Sequence, residues 1–180
     1  MEVPDQSLPA ATFEELALPL FDQLYNFARW LTQDTAEAED LVQETYAKAL
    51  RGFSSYRAGT NFRAWMYRIL RNSFLSSRTG LKVTVAFDEQ EHETALPDDR
   101  ATPESLLIAE ANREVIRHAL EELPVPFREI LLLCEVEEMS YQEIAETLAI
   151  PIGTVMSRLS PARKALRGQL AKNDGGRHGV

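Results

Sequence analysis

The chain has 180 residues, 44% hydrophobic and 26% charged, with a formal net charge of −9 and a single cysteine. That length fits one domain or two small ones. No apolar run approaches the roughly 20 residues a membrane helix needs, and the N-terminal stretch lacks a basic start followed by a hydrophobic block, so a cytoplasmic location is expected.

Met1 to Ala11 reads as a loose tail. Thr12 with Glu15 forms a capping box, predicting one helix through about Leu31 with Phe13, Leu16, Leu20, Leu24, Phe27 and Leu31 as its apolar stripe. After the turn Thr32-Gln33-Asp34-Thr35, Asp34 or Thr35 caps a second helix to about Arg51. Leu41, Val42, Thr45, Tyr46, Ala49 and Leu50 form its inner face; Glu37, Glu39, Asp40, Gln43, Glu44 and Lys48 lie elsewhere. The resulting acidic outer face is either a solvated surface or a docking face for a basic partner.

Residues 52–60 form a loop by their Gly and Ser content, and Asn61 caps a third helix to about Ser77. Phe62, Trp65, Met66, Ile69, Leu70 and Phe74 are its apolar stripe. Interleaved cations and rings suit single-stranded nucleic acid, arginines holding phosphates while aromatic faces stack on unpaired bases. Phe53 and Tyr56, in the polar loop, are the expected contacts; Phe62, Trp65 and Phe74 are expected in the core.

Residues 82–87 could extend, but the acidic, polar stretch Asp88 to Arg100 cannot bury a core and reads as a flexible linker. Thr102 and Pro103 start a helix to about Leu123, Pro124 and Pro126 break the chain, and Phe127 to Val136 forms another helix. Within it Cys134 is a small buried hydrophobe without a histidine nearby to make it a nucleophile. The three histidines are too scattered for a metal site, so neither metal nor cofactor is expected.

Ser140 and Glu143 form a second capping box, opening a helix with Ile144, Ala145 and Leu148 on one face. The breaker-rich turn 149–153 leads to a second helix from about Gly153. Its expected inward residues are Val155, Met156 and Leu159; Ser157, Arg158, Ser160, Arg163 and Lys164 are outward. This pattern is a helix-turn-helix whose second helix fits the DNA major groove, or else a helical hairpin with a solvated basic face. Pro161 costs about 3 kcal/mol in a helix interior, so the helix kinks there or restarts from Ala162. The tail from Lys172 should fray.

Charge separates by segment. Residues 1–50 carry −8, 51–86 carry +7 without an acidic residue, 87–110 carry −7, 111–150 carry −6 and 151–180 carry +5. Two basic surfaces on an anionic chain bind free duplex weakly, which points to a partner that brings DNA to them.

Three motifs in order, AEDLVQETYAKAL (38–50), NFRAWMYRILRN (61–72) and SYQEIAETLAIPIGTVMSRL (140–159), resemble those of the extracytoplasmic-function (ECF) sigma factors of bacterial RNA polymerase. The resemblance implies an all-α chain of two small helical domains. A sigma-2-like bundle over 12–80 is joined by a flexible acidic linker over 81–102 to a sigma-4-like helix-turn-helix domain over 103–171. It implies that Asp40, Leu41, Gln43 and Glu44 dock on core polymerase. Phe53, Tyr56, Arg57, Asn61, Arg68, Arg71, Asn72 and Ser76 would open and hold the −10 element. Thr154, Ser157, Arg158 and Ser160 would meet the −35 element, and Arg163, Lys164 and Arg167 its phosphates. Where the family usually carries a side chain able to reach the groove, Pro161 has none. Core polymerase, promoter DNA and an anti-sigma factor are the implied partners, with no catalysis and no small-molecule substrate. The alternatives are a stand-alone dimeric helix-turn-helix regulator, which leaves block 51–86 unused, and an enzyme, for which no residue constellation speaks.

Overall fold

The computed structural model describes residues 10–78 and 113–175, all secondary structure among them being helical. The expected linker, the start of the helix at Thr102 and the last five residues lie outside the described residues. The first module is α1 (Phe13–Ala17), a 3-10 turn (Leu18–Leu20), α2 (Phe21–Thr32), α3 (Thr35–Gly52), a 3-10 turn (Phe53–Ser55) and α4 (Phe62–Arg78). The second is α5 (Arg113–Glu121), α6 (Val125–Leu131), a π-helical turn (Leu132–Val136), α7 (Tyr141–Leu148) and α8 (Ile152–Gly175).

Both capping boxes form, Thr12 with Glu15 and Ser140 with Glu143, each closing a helix start worth about 1 kcal/mol. Asp34 caps α3, its carboxylate accepting from the Glu37 N–H at 2.8 Å. The single helix expected from Thr12 to Leu31 is instead broken at Leu18–Leu20, because Pro19 has no N–H to donate and its ring crowds the preceding turn. The chain breaks before Pro124 as expected, between Glu121 and Val125, but the next helix starts two residues earlier than Phe127. Pro124 is the N-cap of α6 and Pro126 lies in its first turn, where a missing N–H costs nothing.

α2, α3 and α4 pack together, and α5, α6 and α7 pack around α8. The two units share one core, since α4 also packs on α7 and α2 on α6. Ile130 and Leu131, ending α6, and Leu132 and Leu133, opening the π-helical turn, are four consecutive buried apolar residues, and α6 packs on both α2 and α8. Two expected core residues lie outside: Leu50 is 57% and Met156 55% exposed. Each follows a buried residue (Ala49, Val155) by one step, and a helical step of about 100° rotates it off the buried stripe. Pro161 neither ends nor restarts its helix; α8 runs through it with the ring exposed.

Candidate nucleic-acid interface

α4 carries no acidic residue over Phe62–Arg78, and its amphipathic pattern alone would leave its cations in water. The second module meets Arg63, Arg68 and Arg71 instead, while Arg78 pairs with Glu37 of α3. Arg71 donates from Nε and Nη2 to the two carboxylate oxygens of Glu129 at 2.8 and 3.1 Å, a bidentate pair around an almost fully buried carboxylate. Arg68 Nε donates to the Glu146 carbonyl at 3.0 Å, and Arg63 Nη2 to the Glu137 carbonyl at 2.6 Å. The Tyr67 hydroxyl donates to Glu137 Oε2 at 2.5 Å. Asn61 caps α4 by accepting from the Ala64 N–H at 3.0 Å, and its amide donates to Glu143 at 3.1 Å. Arg128 fastens the junction from the other side, donating to the carbonyls of Leu31, Leu120, Glu121 and Leu123.

Electrostatics follow from burial. Desolvation pushes the Glu129 and Glu137 carboxyls above the usual carboxylate range, opposed at Glu129 by Arg71 and at Glu137 by Tyr67 and Arg63. Tyr67, fully buried, has its phenol raised by the same burial and by Glu137. The Arg158 guanidinium is held below its ordinary value by burial and by Arg71, with Glu129 pulling the other way. One carboxylate, Glu129, therefore faces a cation expected to meet the −10 strand and another expected to meet the −35 duplex.

The remaining expected residues divide by exposure. Arg57, Asn72 and Ser76 are exposed on the first module. Phe53 and Tyr56 are half-buried rather than free: the Tyr56 ring sits 5.1 Å from Phe62 and 5.2 Å from Trp65, and Phe53 lies 5.4 Å from Phe13. The Tyr56 hydroxyl donates to the Thr60 carbonyl at 2.6 Å, closing the loop. Asp40, Gln43 and Glu44 are exposed on α3, Glu44 pairing with Lys48 at 2.7 Å. Leu41 is buried, so it packs the core and cannot meet a partner directly. On α8, Ser157, Ser160, Lys164 and Arg167 are exposed and Thr154 is half-buried. Arg163 is half-buried and pairs with Glu135, with Nε to Oε1 at 2.9 Å.

Sequence reasoning missed Tyr67, Glu129 and Glu137, because nothing local marks a partner on another module. Leu18 at 63% and Phe21 at 47% exposure were read past as well. With Leu50 they leave large apolar side chains exposed on the same module as the acidic α3 face. Exposed apolar groups beside acidic ones can bury a protein partner.

A basic, acid-free helix, an acidic helix with apolar neighbours and a helix-turn-helix with a basic second helix define a bipartite nucleic-acid-binding protein. Residues 19–82 match Sigma-70 region 2 and residues 113–166 match Sigma-70 region 4. The chain is 33% identical over 172 residues to the ECF RNA polymerase sigma factor SigE of Mycolicibacterium smegmatis, covering 91% of this chain and 66% of that protein. It is 32% identical over 139 residues to the ECF RNA polymerase sigma-E factor of Salmonella typhimurium, covering 73% of each. A solved structure of the sigma factor RpoE of Bartonella quintana, in complex with the anti-sigma factor NepR, superposes with a TM-score of 0.68 at 30% identity, over 88% of this chain and 96% of that one. This chain belongs to the ECF RNA polymerase sigma factors of the sigma-70 family.

Proposed function

We propose that the chain is the promoter-specificity subunit of a bacterial core RNA polymerase, acting in the cytoplasm and without catalysis of its own. The observation that carries this reading is the distribution of charge: two basic, acid-free stretches, 51–86 and 151–173, on a chain of net charge −9 need a larger partner to hold them against DNA. Polymerase docks on the exposed Asp40, Gln43 and Glu44 of α3, with Leu50 supplying apolar anchorage. The −10 strand is taken by α4 and its preceding loop, from Phe53, Tyr56, Arg57, Asn61, Arg68, Arg71, Asn72 and Ser76. The −35 duplex meets α8 through Thr154, Ser157, Arg158 and Ser160, with Lys164 and Arg167 on phosphates. An anti-sigma factor is the natural inhibitor, since the Bartonella structure holds one.

This assignment requires the modules to separate. Arg68 and Arg71 are held by Glu146 and Glu129 in the packed chain, so they reach DNA only after the second module leaves α4. Core polymerase assayed with and without the chain tests the function: run-off transcripts from its own promoters should depend on it. Arg57→Ala, an exposed loop change, should reduce permanganate reactivity of the melted strand more than polymerase binding. Tight binding of free duplex by the purified chain, with no association to core polymerase, would overturn the proposal in favour of a stand-alone regulator.

A further inference from the structure

The outer face of α8 does not carry what its sequence first suggests. Arg163 is tied to Glu135 and Arg158 is half-buried, so of the two guanidiniums suited to reading guanine one is paired within the chain and the other is only partly exposed. The residues left exposed over the first turns are small, Gly153, Ser157 and Ser160, with two exceptions. Met156 is 55% and Ile152 45% exposed, and four residues apart they stand one above the other. A Cβ added at Gly153 would have nothing within 4 Å, so none of the described residues covers that part of the face. Met156 is thus the longest side chain the helix offers where its neighbours are short.

The occupant is set by charge. Residues 151–173 contain five cations and no acidic residue, and Lys164 and Arg167 are exposed farther along the same helix, which suits a polyanionic duplex and not an apolar protein groove. In the major groove the one apolar feature of a base edge is the C5-methyl of thymine. We propose that Met156, supported by Ile152, reads a thymine methyl in the −35 element, and that this apolar contact sets base preference there. The inference rests on the sigma-factor reading above. A thioether on an unbranched chain suits it, being polarisable and able to follow the groove floor.

The experiment uses polymerase holoenzyme reconstituted with the full chain. It selects from promoters randomised in the −35 region, made once with thymidine and once with deoxyuridine, which lacks only the methyl. The thymidine library should show thymine favoured at one position by about fourfold, the effect of burying one methyl-sized group. That preference should fall below about twofold with deoxyuridine. Met156→Ala should lose it in both libraries, while Met156→Leu keeps it. Equal enrichment in the two libraries, or retention by Met156→Ala, would overturn the methyl reading alone. A holoenzyme that enriches no −35 sequence from either library would overturn the sigma-factor reading and this inference with it.

Discussion

Arg71→Ala is the sharpest perturbation of the junction between the modules. The side chain holds both oxygens of Glu129, at 2.8 and 3.1 Å, and Glu129 is 1% exposed. Removing one member of a buried pair costs about 3–5 kcal/mol when the remaining charge has no relief. Two features reduce that here. Arg158 still faces Glu129, and a carboxyl already pushed up by burial escapes the penalty by taking a proton. The expected loss is therefore about 2–3 kcal/mol, which for a slope near 2 kcal/mol per molar urea moves the unfolding midpoint down by about 1 M. Hydrogen exchange should localise the loss to the amides of α4 and α6. The sign of its pH dependence follows from the same carboxyl. A raised folded-state value means that stability is present below the unfolded value and is lost as pH rises through the folded one. Without Arg71 to lower it, Glu129 rises further, so the variant's deficit should shrink as pH falls from 8 toward 5. The double variant Arg71→Ala, Glu129→Gln should recover part of the loss. An unchanged midpoint, or a deficit that grows on acidification, would refute the argument.

Ala149 adopts the left-handed conformation at φ 54° and ψ 46°, so Ala149→Gly should stabilise the second module by about 1 kcal/mol, seen as a higher melting temperature; a lower one would mean the turn is held by other contacts. Pro161→Ala restores an N–H able to reach the Ser157 carbonyl, and should add about 1–3 kcal/mol to thermal stability; no gain would show that α8 accommodates the ring without cost. Leu50→Asp leaves the core intact, so stability should stay within about 0.5 kcal/mol of the parent. Its affinity for core polymerase should fall about 10- to 100-fold by titration, and an unchanged affinity would remove Leu50 from the docking face.

Local chemistry alone determined most of the helices and the reading as two helical modules. Capping boxes at Thr12 and Ser140 act within one turn, and apolar stripes repeat at the helical period, so both are written into adjacent residues. Acid-free 51–86 and 151–173 were equally visible, because charge is a property of composition. The errors in the helices share one cause. Leu50 and Met156 look apolar enough to bury, yet one step of rotation places each outside, and only the packing of the other helices fixes where that boundary falls. What the arginines do was decided by tertiary structure. Arg71, Arg68 and Arg163 read as surface cations until Glu129, Glu146 and Glu135 arrive from more than 25 residues away. An ion pair depends on distance in space, and no periodicity in the chain encodes it.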